Sequence, residues 1–171
     1  MKELFPRIAI TGFMGAGKTS VAEALARALG CEAVDLDRHI VARDGRAIHE
    51  IISSEGEARF RAIESRALEE LLAQEKAQII ALGGGAWTIE RNRAMLAEKG
   101  YIAVWLDAPF ELCWERILKT DVVRPLARDF ESARRLYEQR REIYALATLR
   151  VEVEGKSCEA LADEIIRAVR T

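Results

Sequence analysis

One eight-residue stretch near the N-terminus constrains this chain more than any other feature. Residues 12–19 read GFMGAGKT and match the phosphate-binding pattern GxxxxGK[ST]. The pattern indicates a phosphate-binding loop only where it lies between a strand and a helix. Here the apolar run IAIT precedes it and an amphipathic pattern follows it. We therefore predict a loop whose backbone N–H groups surround a phosphate at the positive end of a helix.

The residue types in this loop predict a nucleoside triphosphate accompanied by magnesium. Lys18 can bridge the β- and γ-phosphates, and the hydroxyl of Thr19 can bind Mg²⁺. Ser20 is expected to add a phosphate contact. The nucleotide-binding residues predicted from this segment are Gly12, Gly15, Ala16, Gly17, Lys18, Thr19 and Ser20.

The rest of the chain alternates short apolar runs with longer helical patterns, which is typical of a parallel α/β sheet. The predicted strands lie at 8–11, 32–34, 78–82, 101–106 and 149–153. The predicted helices lie at 18–29, 58–74, 89–99, 110–118, 130–147 and 158–169. Residues 119–129 show no periodicity and are predicted to form a mobile loop. We expect one domain over residues 1–171, because no linker-like segment divides the chain.

Charge and composition disfavour several classes of function. The net charge is −2 with both signs mixed along the chain, whereas non-specific nucleic-acid binding needs a basic face. No apolar stretch reaches the length of a membrane span, so we expect a cytoplasmic protein that binds neither nucleic acid nor membrane. Three distant cysteines show no metal-ligand spacing, so neither disulfides nor a zinc site are expected.

Two aspartates, Asp35 and Asp37, follow the second predicted strand. Once that strand gives way to a turn, one carboxylate can face metal-bound water while the other faces a substrate hydroxyl. The alternative is that either Asp is only an N-terminal helix cap. The pair is suited to phosphoryl transfer.

Three consecutive glycines, Gly83 to Gly85, follow the third predicted strand. Glycines cost backbone entropy, and close approach of a ligand to their N–H groups would justify that cost, although a plain flexible turn is the alternative.

Several arginines are candidate anion-binding residues. Arg61 has Glu64 three residues later on a predicted helix, so the carboxylate can orient the guanidinium toward a cleft, or the two can form an exposed ion pair. Arg124 lies in the predicted mobile loop, where closure could bring it onto a phosphoryl group. Arg140 and Arg141 are adjacent, and the sequence alone does not decide which of them would bind the anion. No Asn-Lys-x-Asp guanine-binding sequence occurs, which favours a small-molecule kinase.

Six segments together resemble shikimate kinase in order and approximate spacing. They are GFMGAGKT at 12–19, VDLD at 34–37, FRAIE at 60–64, GGG at 83–85, RPL at 124–126 and RREIY at 140–144. The resemblance implies a nucleoside-monophosphate-kinase-like, three-layer α/β/α fold with a five-stranded parallel sheet. It further implies a lid near 119–130, acceptor-binding helices near 36–74, and a monomer that transfers phosphate from ATP to the 3-hydroxyl of shikimate.

The resemblance also implies a role for each matched residue. Lys18 and Arg124 would stabilise the phosphoryl group, and Thr19 with Asp35 would hold Mg²⁺. Asp37 would hold the shikimate hydroxyls and take the proton. The carboxylate of shikimate would be bound by Arg61 and Arg140, and the backbone of Gly83, Gly84 and Gly85 would close the pocket. The adenine site is expected near Gly155, Lys156 and Ser157.

Some positions depart from the family pattern, and two other functions stay open. Glu142 stands where proline is common, which leaves Arg141 as an alternative to Arg140, and bulky Trp87 follows the glycines. A gluconate kinase would use the same phosphate loop and a similar lid. A nucleotide-binding regulatory module without catalysis is the alternative from another class.

Overall fold

A computed structural model describes residues 5–170 and contains a five-stranded, wholly parallel sheet. The strands are β1 Arg7–Thr11, β2 Ala33–Asp35, β3 Ile79–Ala81, β4 Tyr101–Asp107 and β5 Leu149–Glu152. Their order in the sheet is β2-β3-β1-β4-β5. The central strands are buried because their side chains are apolar on both faces, as in Ile8 and Ile10 of β1 and Ile79 and Ile80 of β3.

Helices connect these strands, and the predicted α/β class is confirmed. They are α1 Lys18–Leu29, α2 Leu36–Asp44, α3 Ile48–Glu55, α4 Glu57–Gln74, α5 Glu90–Glu98, α6 Phe110–Leu118, α7 Phe130–Tyr144 and α8 Cys158–Val169. A short 3-10 helix at Ala86–Thr88 follows the three glycines. Among residues 5–170, none of the helices is both long enough and apolar enough to cross a membrane.

The segment after β2 corrects one sequence-based expectation. Asp37 lies in the first turn of a helix, α2, and not in a turn that follows the strand. Asp35 caps that helix, since its Oδ1 accepts a hydrogen bond of 3.0 Å from the backbone N–H of Arg38. The resemblance implied helices near 36–74, but the residue pattern did not locate α2 and α3 separately, because both are too short to show a clear period.

The order of the strands gathers the predicted functional segments at one edge of the sheet. The phosphate loop follows β1, the two aspartates lie at and just after the end of β2, and the glycines come just after β3. These three strands are neighbours in the sheet. In a parallel sheet the carboxyl ends of all strands point the same way, so segments distant in sequence meet there. Residues 119–129, between α6 and α7, form no regular helix or strand.

Candidate active site

The phosphate loop lies so close to its neighbours that two of its residues must be glycine. A Cβ atom on Gly12 would lie 2.7 Å from the carbonyl oxygen of Leu106, and one on Gly15 would lie 2.7 Å from that of Cys113. Both glycines also have positive φ angles, 148° and 80°. The loop is therefore packed against the end of β4 and against α6.

Lys18 lies folded over this loop. Its Nζ donates to the carbonyl oxygens of Gly12 at 2.8 Å and Phe13 at 3.0 Å. Removal from water lowers the pKa of Lys18 to about 8, and the nearby carboxylate of Asp37 partly opposes that shift. Its ammonium is thus held at the loop by weak acceptors that a phosphate could replace.

Thr19 and Asp35 meet beside the loop. The hydroxyl of Thr19 donates to Oδ2 of Asp35, while Oδ1 of the same carboxylate caps α2. Asp35 therefore acts as the helix cap considered from sequence, and its second oxygen contacts a hydroxyl of the phosphate loop. One hydroxyl and one carboxylate oxygen converge at this point, which is the type of oxygen ligand that Mg²⁺ takes when waters and phosphates complete its shell.

Asp37 lies at the centre of the cleft, among three cationic side chains. Burial raises the pKa of Asp37, and the charge of Asp35 raises it further, whereas Lys18, Arg61 and Arg124 lower it. The carboxylate is therefore a better proton acceptor than an exposed aspartate would be.

The three glycines leave room for charged side chains. A Cβ on Gly83 would lie 2.6 Å from Oδ1 of Asp37 and 3.0 Å from Oε1 of Glu64, and one on Gly84 would lie 3.2 Å from Nη1 of Arg140. A Cβ on Gly85 would strike the guanidinium of Arg61. These glycines provide clearance and not a special backbone conformation, since φ is outside the left-handed range at all three positions.

Arg61 and Glu64 form the ion pair expected from their spacing. Nη1 of Arg61 donates to Oε2 of Glu64 at 2.8 Å, and Glu57 lies at 3.5 Å from Nη2. The carboxylate of Glu64 is fully buried, and its Oε1 has no hydrogen-bond partner. Burial raises the pKa of Glu64 to about 7, against the effect of Arg61.

Arg140 and Arg141 point to different places. Arg140 is 6% exposed and lines the same cleft as Arg61, Asp37 and the glycines. Arg141 instead forms a two-pronged ion pair with Asp107 at the end of β4, at 2.6 and 3.2 Å. The geometry therefore favours Arg140 over Arg141 as the cleft residue.

The segment 119–129 covers the cleft. Val122, Val123, Arg124 and Pro125 line it opposite Ile48 and Ile52 of α3. Burial lowers the pKa of Arg124, and Asp37 opposes this effect. Nε of Arg124 is buried without a partner, so this guanidinium has hydrogen-bonding capacity to spare in the cleft.

Other predicted residues lie at the edge of the site or away from the loop. Ser20 is exposed, and the N–H of Ala16 is used within the loop by the carbonyl of Phe13 at 3.1 Å. Lys156 pairs with Glu164 on the surface at 2.7 Å, so its expected nucleotide contact stays a prediction. Sequence reasoning missed Arg116, whose Nη1 donates to the carbonyl of Gly15 at 3.1 Å. An arginine on an amphipathic helix carries no signal that would have identified it.

Comparisons with known proteins point to one family. The family model described as Shikimate kinase matches residues 14–170. A shikimate kinase of Geobacter sulfurreducens is 42% identical over 166 residues, which cover 95% of this chain and 90% of the relative. The solved structure of a shikimate kinase from Acinetobacter baumannii in complex with shikimate aligns with a TM-score of 0.90 and 37% identity, covering 98% of this chain and 94% of that one.

The rival sugar-acid kinases are more distant. A gluconokinase from Sinorhizobium meliloti 1021 aligns with a TM-score of 0.66 and 22% identity, covering 98% of this chain and 94% of that one. At this level of identity the likeness extends to the fold alone.

Proposed function

Because the chain belongs to the shikimate kinase family, an ATP-dependent kinase family, we propose that its cleft transfers the γ-phosphate of ATP to the 3-hydroxyl of shikimate. The observation that carries this proposal is the meeting of Asp37, Arg61, Arg124 and Arg140 in one cleft beside the phosphate loop. Three guanidinium groups around Asp37, with Glu64 paired to Arg61, suit an acceptor that has both a carboxylate and a hydroxyl to be phosphorylated.

The phosphate loop and two cations would bind the triphosphate. The backbone N–H groups of residues 12–19 and the N-terminus of α1 attract the phosphates. Lys18 exchanges its contacts with Gly12 and Phe13 for the β- and γ-phosphates. Arg124, from the covering segment, stabilises the charge that spreads over the transferring phosphoryl group.

The oxygens of Thr19 and Asp35 fit the Mg²⁺ that ATP brings. The contact between them supports this assignment, because it places a hydroxyl and a carboxylate together beside Lys18. When bound, the ion would supply positive charge that partly neutralises the phosphates and so reduces their repulsion of the attacking hydroxyl oxygen.

The acceptor would be oriented from its two ends. Arg61 and Arg140 bind its carboxylate, and Asp37 accepts a hydrogen bond from the reacting hydroxyl. The hydroxyl oxygen then forms a bond to the γ-phosphorus, the bond from that phosphorus to the β-phosphate oxygen breaks, and ADP leaves. Asp37 takes the hydroxyl proton, a role that its raised pKa supports.

An ADP-release assay with several acceptors tests the proposal. We expect turnover with shikimate and at most a trace with gluconate or a nucleoside monophosphate. Preference for either of those acceptors would contradict the substrate assignment. ATP binding with no turnover on any acceptor would instead support a regulatory module.

A further inference from the structure

The last turn of α7 contains a buried tyrosine that contacts the glycine segment and that the reaction scheme does not use. Tyr144 is 1% exposed, and its hydroxyl donates to the carbonyl oxygen of Gly84 at 2.5 Å. Gly84 is the middle residue of the three glycines, so this bond joins the helix to the part of the cleft wall that has no side chains.

Tyr144 and Arg140 approach Gly84 together. They are four residues apart in α7, so they lie on one face of the helix. Nη1 of Arg140 lies so near Gly84 that a Cβ there would be 3.2 Å away. The single proton of the Tyr144 hydroxyl goes to the Gly84 carbonyl, which leaves the oxygen lone pairs available to accept a hydrogen bond.

The charge environment of Tyr144 agrees with this arrangement. Burial raises the pKa of Tyr144 to about 12, and the Arg140 guanidinium is the largest opposing influence. The hydroxyl therefore keeps its proton at physiological pH and donates constantly, while its oxygen lies within the field of Arg140.

A second hydrogen bond joins the same two segments. Nε1 of Trp87, just after the glycines, donates to the carbonyl of Ile143 at 3.0 Å. Trp87 is itself 5% exposed, and Nη1 of Arg93 donates to its carbonyl at 2.7 Å. The end of α7 and the segment after β3 are thus joined by two hydrogen bonds, from the neighbouring residues Ile143 and Tyr144 to Trp87 and Gly84.

We propose that Tyr144 is a positioning residue for acceptor recognition, which holds Gly84 and Arg140 in register so that the guanidinium meets the acceptor's carboxylate. The hydrogen bond from Trp87 to Ile143 helps to hold the same two segments together. This inference rests on the proposed function, because it assigns Arg140 to that carboxylate. A positioning role predicts an effect on acceptor binding and little effect on ATP.

The test is Tyr144→Phe, which removes only the hydroxyl, with Tyr101→Phe as its matched control. Tyr101 is also buried, and its hydroxyl donates to a backbone carbonyl, that of Ala77, at the opposite end of the sheet. We expect Tyr144→Phe to raise the KM for shikimate about tenfold, because the Arg140 guanidinium is then no longer held in position to meet the acceptor's carboxylate. The KM for ATP and kcat should stay within about twofold.

The control separates a local role from general destabilisation. We expect Tyr101→Phe to lower the melting temperature similarly and to leave both KM values unchanged. The inference is overturned if Tyr144→Phe changes the KM for shikimate no more than Tyr101→Phe does, or if it changes both substrates' KM values equally.

A double-mutant cycle with Arg140→Ala tests whether Tyr144 acts through Arg140. The effect of Tyr144→Phe on the KM for shikimate should disappear in the Arg140→Ala background, whereas full additivity would contradict the inference. If Tyr144→Phe does not fold, Trp87→Phe removes the neighbouring tie and should also raise the KM for shikimate selectively; an unchanged KM would count against the inference. Absence of shikimate turnover in the wild type would instead refute the proposed function.

Discussion

The ion pair of Arg61 with Glu64 joins a partly accessible cation to a buried anion. The side chain of Arg61 is 19% exposed, whereas that of Glu64 is 1% exposed. The carboxylate therefore fixes one edge of the guanidinium from below and leaves other N–H groups for a ligand. This pair therefore orients the positive charge of Arg61 toward the cleft.

Arg61→Ala should impair acceptor binding far more than ATP binding. In the proposed scheme it removes a charge-assisted hydrogen bond to the acceptor, and it leaves Glu64 buried without its partner. We expect the KM for shikimate to rise at least about tenfold, with the KM for ATP changed less than about twofold. Initial rates with each substrate varied in turn provide the measurement.

Arg59→Ala is the control for Arg61→Ala. Arg59 belongs to the same helix, but it is 62% exposed and pairs with Glu55 on the surface. It should leave both KM values as in the wild type. Equal rises in the two KM values for Arg61→Ala would contradict the assigned role.

Glu64 should make stability depend on pH. Its pKa rises from 4.5 to about 7 on folding, so the native state binds more protons than the unfolded state between those values. The contribution of this group to stability is therefore largest below pH 4.5 and is lost as pH rises toward 7. Glu64→Gln removes that contribution.

Urea unfolding at several pH values measures this effect. Between pH 5 and 7, the free energy of unfolding of Glu64→Gln should decline less, or rise more, with pH than that of the wild type. Glu57→Gln controls for the loss of a carboxylate next to Arg61. Identical pH slopes for Glu64→Gln and the wild type would rule out the assigned titration.

At the scale of the element, the glycine segment and α7 form two walls of one cleft. The glycine segment supplies clearance for Asp37, Glu64, Arg61 and Arg140. The helix supplies Arg140 and is held by Asp107, through Arg141, as well as by the contacts at its last turn. A helix anchored at several points can present a long side chain in one orientation.

Alanine substitutions in the glycine segment should differ in severity. Gly83→Ala forces a Cβ to within 2.6 Å of a carboxylate oxygen of Asp37, whereas Gly84→Ala meets the tip of Arg140 at 3.2 Å. A guanidinium tip can move by a few tenths of an ångström, but the central carboxylate cannot move without losing its alignment. We expect Gly83→Ala to lower kcat/KM for shikimate by at least about tenfold more than Gly84→Ala.

Steady-state kinetics together with circular dichroism check this order. The spectra should show that both variants are folded. A larger loss of activity for Gly84→Ala would show that clearance around Asp37 is not the limiting requirement.

At the scale of the whole molecule, binding of nucleotide and metal should stabilise the fold. The phosphate loop, α1 and β2 all contribute to the site, so a ligand there links separate parts of the chain. ATP at about a hundredfold over its Kd should add about 2.7 kcal/mol to the free energy of unfolding. Mg²⁺ should increase the stabilisation at a fixed ATP concentration, because the ion binds with the nucleotide.

Thermal melts with ATP in the presence of Mg²⁺ or of EDTA test the metal assignment. The melting temperature should be higher with Mg²⁺, and Thr19→Val should narrow the difference by removing the hydroxyl that faces Asp35. Equal melting temperatures of the wild type with Mg²⁺ and with EDTA would contradict the assigned metal site.

Local sequence determined the parts of this protein that depend on neighbours in the chain. The phosphate loop could be located because its glycines, Lys18 and Thr19 act within eight consecutive residues. The strands and long helices could be located because the spacing of apolar residues within each segment indicates which of its side chains are buried. The pairing of Arg61 with Glu64 likewise follows from the geometry of one helical turn.

Only the tertiary structure decided how distant segments meet. Arg140 and Arg141 are adjacent and chemically identical, and only their position on α7 directs one to the cleft and the other to Asp107. The reason for three glycines became visible only with Asp37, Glu64, Arg61 and Arg140 around them. The tie between Tyr144 and Gly84 spans 60 residues, and no local pattern encodes a contact between segments that far apart.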